Sequence, residues 1–192
     1  MVDATQSLVV MHDATVDRVA DETSPVRSGA LADLPWTTLR RVVLRGGHAI
    51  PRLEDVLDTV TVPIMLEIKA PAATDLVVAA LRGREIDWEL SRVSSFRAEA
   101  VARVKELAPH LPVAPISDTV DDDYWALLDA VDAASVSTVN WTSVPAAVVD
   151  RAHESGRTVI TGGLGEEAMA AARAAGVDGF CTDDPRIVAG RR

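Results

Sequence analysis

Cysteine is almost missing from this chain. Cys181 is the only one in 192 residues, so an internal disulfide is excluded. Its place in the apolar run Gly179-Phe180-Cys181 predicts a packed thiol in a reducing compartment, the cytoplasm. Aromatic residues are scarce at 4%, which leaves alanine and valine to build much of the core. Cationic residues are in deficit, 19 Lys and Arg against 29 Asp and Glu, for a formal charge of −10. That balance argues against non-specific nucleic-acid binding, which needs a basic face, and it disfavours an anionic membrane surface. A small anionic ligand stays admissible, because local cations can oppose the global field. No apolar stretch reaches the ~20 residues of a membrane-spanning helix. The N-terminus has neither the basic start nor the apolar core of a signal peptide. The sequence contains no G-x-G-x-x-G after a strand, no Walker A loop, no G-x-S-x-G and no H-E-x-x-H, so nucleotide-fold, serine-hydrolase and zinc-protease readings lack support.

What the sequence does contain is a rhythm of short valine- and isoleucine-rich runs alternating with helical patterns. Strands are predicted at Ser7–Met11, Val62–Ile68, Ser91–Ser94, Pro112–Ile116, Ser135–Val139, Thr158–Thr161 and Asp178–Cys181. In "RAEAVARVKELA", Val101, Val104, Leu107 and Ala108 share a helix face, with Arg103, Lys105 and Glu106 turned away. "VPAAVVDRAHESG" and "GEEAMAAARAAG" carry proline or acids at the start and glycine at the end, the asymmetry of helix signals. Strand-then-helix repetition predicts parallel strands with crossover helices, an α/β protein in one domain over residues 1–192. The long irregular stretch from His12 to Pro35 follows the first strand, and loops of that length are functional or disordered.

In α/β folds ligands sit at the carboxyl ends of strands, and three strand ends present unusual polar groups. "LVVMHDATVDR" ends an apolar run in His12-Asp13; the histidine is either structural or a general acid or base, for which imidazole has the right pKa range. "VPIMLEIKAP" sets Glu67 and Lys69 two apart, on one face of an apolar strand. They are either an ion pair or a hard-cation ligand and a phosphate contact. "VITGGLGEEAM" puts Gly162 and Gly163 ahead of a helix N-terminus, which is either a tight turn or an anion nest. Together the three suit metal-assisted attack on a phosphate ester.

These stretches resemble the glycerophosphodiester phosphodiesterase family. "LVVMHDATVDR", "IPRLEDVLDTV" and "VPIMLEIKAP" are similar to its successive blocks in order and spacing, and "AAGVDGFCTDDP" is similar to its closing strand. The resemblance implies a TIM barrel that splits glycerophosphodiesters into an alcohol and glycerol 3-phosphate with a divalent cation, Mg²⁺ or Ca²⁺. By position it implies a catalytic role for His12 and a metal-ligand role for Glu67. Lys69 matches a substrate-phosphate contact, Arg18 a recurrent arginine of the long loop, and Asp3 lies close to the place of a metal-binding aspartate; with Gly162 and Gly163 of the glycine turn, Lys69 and Arg18 are the substrate-binding candidates. The family's opening His-Arg pair and its Glu-x-Asp pair have no counterpart here. A barrel incomplete at the N-terminus, with about seven strands, is therefore expected, and its exposed edge offers a route to homo-oligomers. A homologue that binds a phosphorylated ligand or a partner protein without hydrolysis, or one that runs another reaction on the same fold, would carry the same motifs.

Overall fold

The computed structural model describes residues 1–139, 145–162, 165–184 and 186. The chain divides into two compact units, Met1–Pro63 with Ile68–Asp87, and Ile64–Glu67 with the chain from Trp88 onward.

The first unit is built from short pieces. It has a helix α1 (Trp36–Leu39), a hairpin of β1 (Val43–Leu44) and β2 (His48–Ala49), and helices α2 (Leu53–Thr59) and α3 (Thr74–Leu81). The strand expected over Ser7–Met11 reduces to isolated antiparallel bridges, Val2 with Leu8 and Val9 with Arg52. The apolar run is satisfied locally, by a turn that brings Val9 N–H to the Met1 carbonyl at 3.0 Å. The stretch from His12 to Pro35 is irregular but packed. Val16 and Leu31 are fully buried with Val9, Leu39, Val42 and Ile50, and this cluster is the unit's core. Burying each such valine or leucine contributes on the order of 1.5–3 kcal/mol, enough to hold a segment that has little ladder hydrogen bonding of its own.

The second unit carries a six-stranded parallel sheet in the order β3-β4-β5-β6-β7-β8. Its strands are β3 (Met65–Glu67), β4 (Arg92–Ser95), β5 (Val113–Ser117), β6 (Ser135–Thr138), β7 (Thr158–Gly162) and β8 (Gly179–Cys181). Helices α4 (Ala98–Leu107), α5 (Asp122–Ala130), α6 (Ala146–Glu154) and α7 (Glu166–Ala174) connect β4 through β8. Sequential order with parallel pairing is what βα repetition dictates, since each strand must return by a crossover. α4 packs on β4 and β5, α5 on β5 and α6 on β7. α4 turns Ala100, Val101 and Val104 inward, as its periodicity predicts. β3 starts at Met65, later than expected, because Val62 and Pro63 are exposed and the ladder to β4 opens with Met65 beside Arg92. Lys69 therefore lies beyond the strand that Glu67 ends.

Buried polar groups decide two details of the sheet. The single tyrosine, Tyr124 on α5, reaches back so that its hydroxyl sits between Pro115 and Ser137. Thr138 and Thr161, directly opposed on β6 and β7, are buried with hydroxyls that have no hydrogen-bond partner among the described residues. A buried hydroxyl without a partner forfeits its desolvation cost, and valine keeps its shape. Thr161→Val is therefore expected to stabilise the protein by about 1 kcal/mol, a rise of roughly 2–4 °C in a chain this size. Differential scanning calorimetry checks it, and a lower transition temperature would show that the hydroxyl is bonded after all.

Candidate functional site

The segment that follows Val9 returns on itself over a buried residue. Val16 is fully buried, so the residues flanking it, Asp13 and Arg18, are turned outward and toward each other. Bridging of Thr15 with Ala30 and a bond from Gly29 N–H to the Asp17 carboxylate at 2.8 Å pin the loop in that form. Arg18 then grips Asp13 with two donors, Nε to Oδ2 at 2.7 Å and Nη2 to Oδ1 at 2.9 Å. On its other side Asp13 Oδ1 lies 2.9 Å from His12 Nδ1.

The electrostatics follow from this geometry. The Arg18 guanidinium, and next the His12 hydrogen bond, hold the Asp13 carboxyl far below the usual carboxylate range. A carboxylate only accepts, so Nδ1 of His12 must be the donor, and the basic lone pair of the neutral ring sits on Nε2. The His12 side chain is 82% exposed, which presents that nitrogen outward. A depressed carboxyl stabilises the fold above the ordinary carboxylate pKa and loses that contribution as pH falls through the lowered value. The Asp13 charge thus persists through neutral and mildly acid pH.

Asp3 is buried, and its oxygens are spent on their own turn. Oδ1 accepts Thr5 N–H at 2.8 Å and Ser7 N–H at 2.7 Å, and the Thr5 hydroxyl donates to both oxygens at 2.9 and 3.0 Å. These bonds hold Gln6 in the left-handed region at φ 62°. Glu67 ends β3, half-buried, level with Ser94 of β4. Lys69 is half-buried two residues on, after the buried Ile68. A hard divalent cation takes six to eight oxygens. Among the described residues no group of three or more His, Cys, Asp or Glu side chains converges to supply them, so these residues do not fit such an ion by themselves.

A second concave feature lies at the carboxyl ends of β6, β7 and β8. A cavity of about 450 Å³ is lined by Val139, Gly162, Gly165, Cys181, Thr182, Asp183 and Asp184. Gly162 pairs with Cys181, and a Cβ on it would meet the Cys181 carbonyl oxygen at 3.2 Å, so the strand end needs glycine to stay this close. Cys181, expected to be packed, is exposed instead. It is the last residue of β8, and its row on the sheet opens into the cavity rather than onto the helices. Gly165 caps α7 with no side-chain bond, which leaves that helix's first N–H groups unclaimed by its cap. Asp183 and Asp184 give the lining two carboxylates, and Arg186 holds the Asp184 carboxyl below its ordinary range. Gly163 lies outside the described residues.

The structure thus brings His12, Asp13 and Arg18 into one chain of contacts. A part for Asp13 was within reach of the sequence, since a carboxylate next to a histidine is the residue type that orients an imidazole. The cavity carboxylates had no comparable signal.

Comparison with known proteins leads to the same family. The model of the glycerophosphoryl diester phosphodiesterase family matches residues 5–187. No curated protein matches the chain. Among solved structures, a phosphodiesterase of Oleispira antarctica in complex with the product sn-glycerol-3-phosphate is similar at TM-score 0.85 and 17% identity, over 99% of this chain and 83% of that one. A glycerophosphodiester phosphodiesterase of Agrobacterium tumefaciens str. C58 gives 0.80 and 19% over 99% and 84%. One from Thermotoga maritima gives 0.75 and 17% over 98% and 81%. At such identities the likeness is one of fold, an α/β sheet of TIM-barrel type.

Proposed function

Because the chain belongs to the glycerophosphoryl diester phosphodiesterase family, we propose that it hydrolyses glycerophosphodiesters to an alcohol and glycerol 3-phosphate. The observation that carries this reading is the His12–Asp13–Arg18 chain of contacts. Arg18 keeps Asp13 ionised, Asp13 fixes the His12 ring with Nδ1–H inward, and Nε2 is left to move the proton. As a base it takes one from the attacking water, and as an acid it gives one to the leaving oxygen. Lys69, in the same compact unit as His12, contributes a cation for the phosphate.

Divalent-cation dependence belongs to the family's chemistry, with Mg²⁺ or Ca²⁺ the ion expected, and Glu67 is the carboxylate of this chain we assign to it. No step above is routed through that ion, since the described residues do not make its cage. No helix among the described residues is long and apolar enough to cross a membrane. A lone exposed thiol stays reduced in the cytoplasm, which is the compartment we propose.

The test is release of glycerol 3-phosphate from glycerophosphocholine, glycerophosphoethanolamine and glycerophosphoglycerol with Mg²⁺ or Ca²⁺, read by coupled oxidation of the product. Accumulation that scales with enzyme is the expected result. Asp3, with its oxygens committed to Thr5 and Ser7, favours a second reading, a binder of phosphorylated ligands without turnover. Calorimetric binding of glycerol 3-phosphate with no release from any of the three substrates would replace the first reading by the second.

A further inference from the structure

The charge of this chain is not evenly spread. Between Asp33 and Glu54 there is no acidic residue, yet four of the 19 Lys and Arg lie there, Arg40, Arg41, Arg45 and Arg52. Arg52 is engaged, paired with Glu54 at 2.9 Å and set over the Trp36 ring. The other three are exposed, as is His48, and among the described residues none of the three arginines lies within ion-pair distance of a carboxylate. Exposed arginine in a protein with ten excess negative charges ordinarily finds an acidic neighbour, so three unpaired ones in six residues need a reason.

The element that carries them is rigid. Val42 and Ile50 anchor the β1–β2 hairpin in the core from either side. Arg45 N–H bonds the Val19 carbonyl at 2.9 Å, and Val43 N–H bonds the Ser24 hydroxyl at 3.0 Å. The tip, Arg45-Gly46-Gly47, turns through two glycines at φ 89° and 81° and carries Arg45 beside the exposed His48, while Arg40 and Arg41 lie in the turn between α1 and β1. Arg27 adds to the same field. Both it and Arg45 act on Asp21, whose carboxyl is lowered first by its bonds to Thr23 and then by these two cations. Asp21 is tied to β1 by its N–H on the Val43 carbonyl at 2.8 Å, and its Oδ1 is already committed to Thr23.

We infer that the α1–β1 turn and the β1–β2 hairpin, through Arg40, Arg41 and Arg45, dock on the surface of a bilayer containing anionic phospholipid. The charges are opposite in sign, and no apolar side chain at the tip calls for insertion, so the contact is electrostatic and peripheral. A planar surface suits it better than a nucleic acid. Fields fall off within about 8 Å at physiological ionic strength, so a plane touching only the acid-free stretch from Arg40 to His48 escapes the acids elsewhere, whereas a flexible polyanion that wraps the protein meets them. The inference is independent of the proposed hydrolysis and stands or falls without it.

Co-sedimentation of the whole protein with vesicles tests it, using phosphatidylglycerol mixed equally with phosphatidylcholine against phosphatidylcholine alone. Binding to the anionic vesicles at low salt, release by high salt, and none to the zwitterionic ones are expected. Each arginine near an anionic surface contributes about five-fold, so the triple variant R40Q/R41Q/R45Q should bind about 100-fold more weakly while keeping its circular dichroism spectrum. R103Q, on α4, removes an exposed arginine outside the hairpin and should bind like the parent. Equal binding by the triple variant, no binding to anionic vesicles at low salt, or tighter binding to duplex DNA or polyglutamate than to vesicles would each overturn the inference.

Discussion

Replacing His12 with alanine is expected to lower kcat for glycerophosphodiester hydrolysis by about 10²–10⁴, the contribution of a positioned proton-transfer group. KM should change little, because nothing in the geometry gives His12 a ground-state hold on the substrate. The side chain is 82% exposed and leans on Asp13 alone, so the fold should be unaffected. The neighbours separate a catalytic imidazole from a merely conspicuous one. Asp13→Asn can offer Nδ1 its carbonyl oxygen but replaces a charged acceptor held by Arg18 with a weaker neutral one, and a loss of about 10–100-fold is expected, the scale of partners that orient a functional histidine. Arg18→Met leaves Asp13 in place but removes the first cause of its depressed carboxyl. Its effect should be smaller and should appear chiefly on the acid limb of the pH profile. The order His12→Ala, Asp13→Asn, Arg18→Met, from worst to mildest, is the signature. Retention of more than a tenth of kcat by His12→Ala would remove His12 from the reaction.

Legibility from sequence varied with how local the governing physics is. α4, α6 and α7 lie within a residue or two of where their periodicity and glycine ends put them, because helix signals are contained in the segment itself. The β4–β8 order follows from βα repetition in the same way. Ser7–Met11 failed because an apolar run does not say what it pairs with. Here it is shared between Met1–Asp3, in a turn held by the Asp3 carboxylate, and Pro51–Leu53 some forty residues on, and neither makes a continuous ladder. The β1–β2 hairpin went unseen since its strands have two residues each, too short for alternation to register. Cys181 was misjudged for a different reason: apolar neighbours predict burial on average, but a strand's last residue takes its environment from what faces it. For Cys181 that is Gly162, which has no side chain to cover it.

The site shows the same division. His12-Asp13 was visible as a dipeptide, and Glu67 and Lys69 as ionisable residues in an apolar strand. The bidentate grip of Arg18 on Asp13 was not, because it depends on Val16 burying itself between them. A five-residue spacing has no meaning until the loop's path is known. The turn chemistry that occupies Asp3 was likewise invisible, although Asp3, Thr5 and Ser7 are the residue types that make such turns.

Removing the hydroxyl of Tyr124 should be the costliest single-atom deletion in the sheet. Pro115 sits inside β5, where a residue without an N–H normally weakens a central strand. Its ladder to β4 ends at Pro115, and the ladder to β6 begins only at Ile116. In a regular parallel pair Ser137 N–H would donate to the Pro115 carbonyl. Instead the Tyr124 hydroxyl stands in that rung. It accepts from Ser137 N–H at 2.8 Å and donates toward the Pro115 carbonyl at 2.7 Å, with the Ser137 carbonyl at 3.1 Å. Phenylalanine fills the same volume but leaves a buried N–H and a buried carbonyl without partners, at about 1–3 kcal/mol each. Tyr124→Phe should therefore lose about 2–6 kcal/mol in denaturant unfolding; a loss under half a kcal/mol would mean that β5 and β6 close the rung without it. An optical measurement reaches the same group. Tyr124 is the chain's only tyrosine, so its ultraviolet titration is unmixed, and burial pushes its phenol up to about 12 from 10.0. A raised phenol means that the folded state keeps the neutral form. Its share of stability is whole below pH 10 and is lost as pH rises from there through about 12. Phenolate appearing near pH 10 in protein that is still folded would place the hydroxyl in water and dissolve the bridge.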